Sequence, residues 1–111
     1  MIYAKKRLGQ HFLKSSRIIS KILGAAELKP DDTILEVGPG TGALTFALAR
    51  RAKRVVAVEK DRDLAAQLKE RLNAQGIENV EVITADILKI KTAHLNLIPY
   101  TFKLLGNLPY Y

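Results

Sequence analysis

Residues 34–42 read Ile-Leu-Glu-Val-Gly-Pro-Gly-Thr-Gly, and this stretch decides the fold class. The run Thr33–Val37 is apolar, rich in β-branched residues and bounded by turn formers, which predicts a buried strand. Three alternating glycines follow at once, and the mostly apolar residues 43–49 behind them predict a helix. Glycine permits a sharp turn and lets a ligand approach where a Cβ would block it. This order predicts a site for a nucleotide-type ligand, although a turn that binds nothing is the alternative.

The composition fits one folded domain. The chain has 111 residues, of which 48% are hydrophobic and 26% are charged, a balance unlike that of disordered proteins. No apolar run approaches the ~18 residues of a membrane span, and none follows the basic N-terminus as it would in a secretory signal. Cysteine is absent from the sequence, which excludes disulfides and thiolate metal sites. We therefore predict a cytoplasmic protein without a membrane partner.

Positive charge is concentrated in the first 30 residues. The formal net charge of the chain is +7, and residues 1–30 carry seven Lys or Arg against one Glu. Residues 31–111 are nearly neutral, with eleven basic and ten acidic side chains. We therefore divide the chain into a basic N-terminal arm and helix, 1–30, and an α/β domain, 31–111. This asymmetry favours a polyanionic partner, nucleic acid ahead of membrane, although a solvated basic tail would carry the same charges.

Strand and helix patterns alternate along the chain. The predicted elements are a helix capped by Ser15 or Ser16, the strand and helix at 33–49, a strand at 55–58, a helix from Asp61 or Asp63 to a Gly76 cap, and strands at 80–83 and 101–105. We expect a short helical turn or loop at 87–100. This alternation predicts an open, mostly parallel α/β sheet.

Polar residues follow each predicted strand at its carboxyl end. They are Gly38–Gly42, Glu59, Asp86 and Asn107. The carboxyl ends of parallel strands meet at one edge of an open sheet, and ligands bind there. The sequence therefore predicts one binding site that is built from four strand ends.

Two of these strand ends suit an adenosine. Glu59 lies 21 residues after Gly38, a spacing at which an acid accepts hydrogen bonds from ribose hydroxyls. Asp86 could accept from an adenine amino group, and the backbone N–H of Ile87 could reach a ring nitrogen. Either acid alone is more often a helix cap or a surface residue. Together they predict an adenosine pocket.

The fourth strand end separates two classes of ligand. The glycine pattern of residues 38–43 also aligns with the dinucleotide fingerprint, so a dinucleotide enzyme is an alternative. An exocyclic base amine is a poor nucleophile, because its lone pair is delocalised into the ring. The Asn107 side-chain oxygen and the Leu108 carbonyl could bind its two hydrogens and draw the nitrogen towards tetrahedral geometry. Pro109 would stiffen this turn, and Tyr110 offers a face on which a flipped base stacks. A plain Pro-Tyr turn is the other interpretation.

Five segments in a fixed order carry a family resemblance. They are Gly9-Gln10-His11-Phe12-Leu13, 35–45, 58–61, 85–88 and 106–110. Together they resemble the ribosomal RNA adenine-N6,N6-dimethyltransferase family, specifically its small-subunit branch. The resemblance implies the N-terminal part of a Rossmann-like methyltransferase fold with S-adenosylmethionine as methyl donor. It also implies that the targets are two adjacent adenosines in small-subunit ribosomal RNA, with the immature small ribosomal subunit as partner.

The resemblance assigns roles to individual residues. It implies donor binding by His11, Leu13, Gly38, Glu59, Asp86 and Asn107, with Gln10 and Gly40 in the same pocket wall. It implies a target-base site made of Asn107, Leu108 and Tyr110. The sulfonium methyl is already electrophilic, so positioning supplies most of the catalysis, and we expect neither a metal nor a covalent intermediate.

The chain departs from this family in length. Family members continue with further strands and a helical C-terminal domain that helps to hold RNA. We therefore expect a monomeric fragment that is inactive alone and has an open sheet edge beside the fourth strand. Two alternatives to the small-subunit enzyme stay open. One is a related methyltransferase acting on large-subunit RNA or another amine, and the other is a non-catalytic relative that binds nucleic acid.

Overall fold

The computed structural model describes residues 2–3, 16–90, 102–106 and 108–109. Its elements are β1 (Ile2–Tyr3), α1 (Ser16–Ala26), β2 (Thr33–Val37), α2 (Ala43–Ala49), β3 (Arg54–Glu59), α3 (Arg62–Ala74), β4 (Val80–Thr84), a 3₁₀ turn (Ile87–Lys89), β5 (Phe102–Gly106) and β6 (Leu108–Pro109). The four longer strands form one parallel sheet in the order β4-β3-β2-β5. The predicted α/β fold with a mostly parallel sheet is therefore confirmed.

The larger part of the core lies on one face of the sheet, beneath the helices α1, α2 and α3. Ile34 and Val55 are paired in register on β2 and β3, and both are completely buried against apolar residues of α1 and α2. Leu68 and Leu72 of α3 pack over Val82 on the same face. The opposite face carries Leu35, Val56 and Val58, which contact the residues around the 3₁₀ turn. None of the helices in the described ranges is long and apolar enough to cross a membrane.

Helix α3 has the ends that the sequence predicts. The Asp61 side chain accepts hydrogen bonds from the backbone N–H groups of Asp63 at 2.9 Å and Leu64 at 3.1 Å, so Asp61 is the N-cap. Gly76 has φ 69° and donates to the Asn73 carbonyl, while Ile77 donates to the Leu72 carbonyl. This pair of bonds is a Schellman motif, which needs a left-handed residue at Gly76.

Strand β5 and the segment after it differ from the prediction. β5 runs from Phe102 to Gly106, one residue later than expected, and it lies at the edge of the four-stranded sheet in the described part of the chain. We predicted a turn at 107–110. Instead, Leu108–Pro109 forms a short parallel pair with Ile2–Tyr3. Two-residue strands carry no hydrophobic periodicity, and a pairing between such distant segments leaves no local signal.

A lysine on β5 holds the end of α1. Lys103 Nζ donates to the carbonyl oxygens of Ala26 and Glu27, each at 2.8 Å, and lies 3.2 Å from Asp32 Oδ2. An ammonium has three N–H groups, so these three acceptors use its full capacity. Both carbonyls lie at the end of α1, which lacks basic residues in its last turn. Lys103 therefore anchors α1 to the edge strand.

We expect Lys103→Met to lower the melting temperature of the chain. Loss of about 1 kcal/mol of hydrogen bonding corresponds to roughly 4–8 °C in a domain of this size. The backbone N–H of Lys29, followed by Lys103, lowers the pKa of Asp32. A lowered folded pKa stabilises the fold above the ordinary Asp value, and this stabilisation is lost as the pH falls through the folded pKa. Calorimetry at neutral and acidic pH measures both effects, with the exposed Lys53→Met as control. Equal melting temperatures for the two variants would contradict the anchor.

Candidate functional site

The glycine loop between β2 and α2 has left-handed backbone at three alternating positions. The φ angles of Gly38, Gly40 and Gly42 are 68°, 56° and 89°. Each of these residues donates its N–H within the chain, to the Val58 carbonyl at 2.9 Å, to Glu59 Oε1 at 3.0 Å and to the Pro39 carbonyl at 2.9 Å, respectively. A loop that binds a pyrophosphate presents N–H groups to the ligand. The N–H groups of these three glycines are therefore used within the chain and are not available to a pyrophosphate.

Gly40 and Gly42 need glycine for different reasons. A Cβ on Gly42 would collide with Leu68 Cδ1 of α3, so this glycine lets the loop pack closely on that helix. A Cβ on Gly40 would meet nothing nearer than the Gly38 carbonyl oxygen, at 4.0 Å. It would instead enter the open space in front of the loop. Gly40 therefore leaves room for a ligand to approach the backbone.

Glu59 joins the end of β3 to the glycine loop. Glu59 is 7% exposed, and its Oε1 accepts from the Gly40 N–H. Oε2 accepts from the Asp61 N–H at 2.8 Å. Sequence analysis missed this bridge because both donors are backbone groups brought together by the fold. Each carboxylate oxygen has two lone pairs, so Glu59 retains acceptor capacity for ligand hydroxyls.

Glu36 is a second buried acid beneath the loop, and sequence analysis did not assign it a role. It is 2% exposed, and its Oε1 accepts a 2.5 Å hydrogen bond from the Thr45 hydroxyl in the first turn of α2. Burial raises the pKa of Glu36 to about 7, the Thr45 hydrogen bond opposes this rise, and the charge of Glu59 adds to it. A lone acid inside the apolar run Thr33–Val37 was the signal that could have identified it.

Asp86 follows β4 at the same edge as Glu59. Thr84 is the register partner of Glu59, and Ala85 donates to the Glu59 carbonyl at 3.0 Å. Asp86 Oδ1 accepts from the Leu88 N–H at 3.0 Å, so the acid caps the 3₁₀ turn. Capping is the more common role that the sequence left open for this acid. Within the described ranges, hydrogen bonds to this side chain use only Oδ1, which leaves Oδ2 free to accept from a ligand.

The register of β5 directs the fourth strand end to this edge. Gly106 is the partner of Val37, the residue directly before the glycine loop. A Cβ on Gly106 would lie 3.0 Å from the Val37 carbonyl oxygen, a tight contact, so close pairing here favours glycine. Leu108 pairs with Ile2 through the backbone. The remaining predicted site residues lie outside the described residues, namely Gln10, His11, Leu13, Asn107 and Tyr110.

The whole sequence matches one known protein family. The model of the family described as ribosomal RNA adenine dimethylase matches residues 1–111. The chain belongs to the ribosomal RNA adenine dimethylase family. Among curated relatives of this chain, ribosomal RNA small subunit methyltransferase A of Dehalococcoides mccartyi is 51% identical over 110 residues. That alignment covers 97% of this chain and 36% of the relative, so the chain spans about a third of the relative's length.

Solved structures establish the Rossmann-like methyltransferase fold of this chain. The 23S rRNA methyltransferase ErmE aligns with TM-score 0.76 and 41% identity, covering 89% of this chain and 38% of its own. A dimethyladenosine transferase from Plasmodium falciparum aligns with TM-score 0.75 and 34% identity, covering 87% and 33%. Coclaurine N-methyltransferase bound to N-methylheliamine and SAH aligns with TM-score 0.62 and 26% identity, covering 68% and 23%. The chain thus forms the N-terminal part of this fold.

Proposed function

We propose that this chain is the donor-binding part of an S-adenosylmethionine-dependent enzyme that dimethylates N6 of two adjacent adenosines in small-subunit ribosomal RNA. The observation that carries the proposal is the open space at Gly40, at the sheet edge where Glu59 and Asp86 follow the next two strands, in a chain of the ribosomal RNA adenine dimethylase family. The name of the Dehalococcoides relative supports the small-subunit substrate, and the SAH in the coclaurine enzyme supports the donor.

The described residues fit the adenosine half of the donor. The remaining lone pairs of Glu59 accept from the two ribose hydroxyls, while its existing bonds fix the carboxylate in place. Asp86 accepts from the adenine amino group through Oδ2, and the Ile87 N–H reaches a ring nitrogen. Gly38 and Gly40 line the wall that the donor approaches. We place Gln10, His11 and Leu13 in the same wall on the strength of the motif alone.

The target base is proposed to bind where the chain leaves β5. The Asn107 side-chain oxygen and the Leu108 carbonyl accept hydrogen bonds from the two N6–H groups, and Tyr110 stacks on the flipped base. Bound S-adenosylmethionine supplies an electrophilic methyl group. The residues around it need only hold N6 in line with that carbon and exclude water, which is the kind of positioning that yields large rate gains.

The basic segment is proposed to bind the RNA. We keep residues 1–30 as a basic arm and helix and 31–111 as the donor-binding domain. Arg17 and Lys21 are exposed one turn apart on α1, so both can contact phosphates. The proposed partner is the immature small ribosomal subunit, and we propose that the protein acts as a cytoplasmic monomer.

A chimera tests the proposal. Residues 1–111 replace the matching N-terminal third of the Dehalococcoides mccartyi relative, and radiolabelled methyl transfer to immature small subunits is measured. We expect transfer to small-subunit RNA, and we expect Asn107→Ala to reduce it by about 100-fold or more, because a misplaced amine reacts poorly. Glu78→Ala is the control, since Glu78 is exposed and precedes β4 at the opposite edge.

The same assay separates the alternatives. The resemblance to ErmE makes large-subunit RNA the second candidate substrate, and label found only there would favour it. A chimera that binds the donor in calorimetry but labels neither RNA would favour a non-catalytic relative.

A further inference from the structure

We propose that Arg71 of α3 is a positioning residue that clamps the glycine loop against that helix and thereby supports donor binding. The inference rests on the proposed function, because it concerns the same loop. Arg71 Nη2 donates a hydrogen bond to the Thr41 carbonyl, between the last two loop glycines. Thr41 is an exposed residue of the loop. A bond from a charged guanidinium is stronger than one from a neutral donor.

Two side chains of opposite charge hold consecutive residues of the loop. The Glu59 carboxylate accepts from Gly40 N–H. The Arg71 guanidinium donates to the carbonyl of the next residue, Thr41. The two contacts fix consecutive residues, so the backbone between them has little freedom to rotate. The open face at Gly40 is thereby kept in one shape before any ligand binds.

Arg71 is itself held in place. Its Cζ lies 5.7 Å from the centroid of the Phe46 ring on α2, within the range of a cation–π contact. Leu68, one turn earlier on α3, packs where a Cβ of Gly42 would lie. One face of α3 therefore contacts both the loop and α2. Arginine suits this position better than lysine, because a planar guanidinium can stack on the ring and still donate in its plane.

The test compares Arg71→Met, Arg71→Lys and the control Lys69→Met, which changes an exposed cation on the same helix. Two quantities are measured on the 111-residue chain: amide exchange of Gly40 and Gly42, and the dissociation constant of S-adenosylmethionine. We expect Arg71→Met to speed loop exchange and to weaken donor binding ~3–10-fold, the effect of one lost hydrogen bond. Arg71→Lys should recover part of both, because it can donate but cannot stack. Lys69→Met should change neither.

Two results would overturn the clamp. One is loop exchange in Arg71→Met equal to that of the unchanged chain. The other is faster exchange with an unchanged donor dissociation constant, which would make Arg71 purely structural. If Arg71→Met fails to fold, the same two results are sought in Arg71→Lys, namely unchanged loop exchange or faster exchange with an unchanged donor dissociation constant. If the unchanged chain does not bind the donor, the proposed function is contradicted. The amide exchange rates of Gly40 and Gly42 in Arg71→Met then decide whether Arg71 holds the loop.

Discussion

Glu59→Ala is expected to weaken S-adenosylmethionine binding by about 100-fold. The substitution removes the proposed acceptor of the ribose hydroxyls, and hydrogen bonds to a charged group contribute roughly 1.5–3 kcal/mol each. It also releases Gly40 N–H and Asp61 N–H, which the carboxylate holds at 3.0 Å and 2.8 Å. The loop therefore loses its hydrogen bond to Glu59 at the same time as the ligand loses its acceptor. Titration calorimetry with the 111-residue chain measures the change.

A matched acid on the neighbouring strand provides the control. Glu81 lies on β4, is exposed and pairs with Arg54 at 3.0 Å, near the amino end of the strands. Glu81→Ala should leave donor affinity within about twofold, since an exposed ion pair contributes little and lies away from the loop. Equal donor affinities for the Glu59 and Glu81 variants, both folded, would remove Glu59 from the site.

Glu36→Gln is expected to abolish the part of the pH dependence of folding stability that comes from ionisation of Glu36. Burial raises the folded pKa of Glu36 to about 7, against an ordinary value of 4.5. Between these values the folded chain holds a proton that the unfolded chain has released. The stability that Glu36 contributes is therefore complete below the ordinary value and is lost as the pH rises through the folded pKa. The shift corresponds to about 3 kcal/mol.

Denaturant unfolding from acidic to mildly basic pH measures this effect. Glutamine keeps an oxygen that accepts from the Thr45 hydroxyl but has no charge to bury, so the variant should gain stability over the unchanged chain as the pH rises. The difference between the free energies of unfolding of the two chains removes the contribution of all other titrating groups, because both chains share them. Glu81→Gln, at an exposed position, should show no such trend. A pH-independent difference for Glu36→Gln would mean that this carboxyl ionises normally in the fold.

The sheet and the ends of α3 were predictable because their signals are local. The run Thr33–Val37 has the composition of a buried strand, and the Asp61 cap and the Gly76 turn each require a residue type with a specific backbone role. The meeting of Gly38–Gly42, Glu59 and Asp86 at one edge follows from the parallel topology. Each of these features can be inferred from a few neighbouring residues and a general rule.

The contacts that shape the site were not predictable in the same way. Arg71 bonds to Thr41, which lies thirty residues earlier in the sequence. The residues around Arg71 do not distinguish it from any other exposed helix residue. Glu59 could be assigned to a ligand, but its bonds to two backbone N–H groups depend on where the loop and the start of α3 lie. The pairing of Leu108–Pro109 with Ile2–Tyr3 joins the two ends of the chain. Such contacts depend on tertiary geometry.

The most direct test of the account is a titration of the isotope-labelled 111-residue chain with S-adenosylmethionine, followed by amide chemical shifts. We expect saturable shifts at Gly40, Glu59 and Ile87, which lie at three different strand ends of one edge. Arg51 and Lys53, in the turn before β3 at the opposite edge, should not shift. Absence of shifts, or shifts centred on that opposite edge, would contradict the claim that this edge binds the methyl donor.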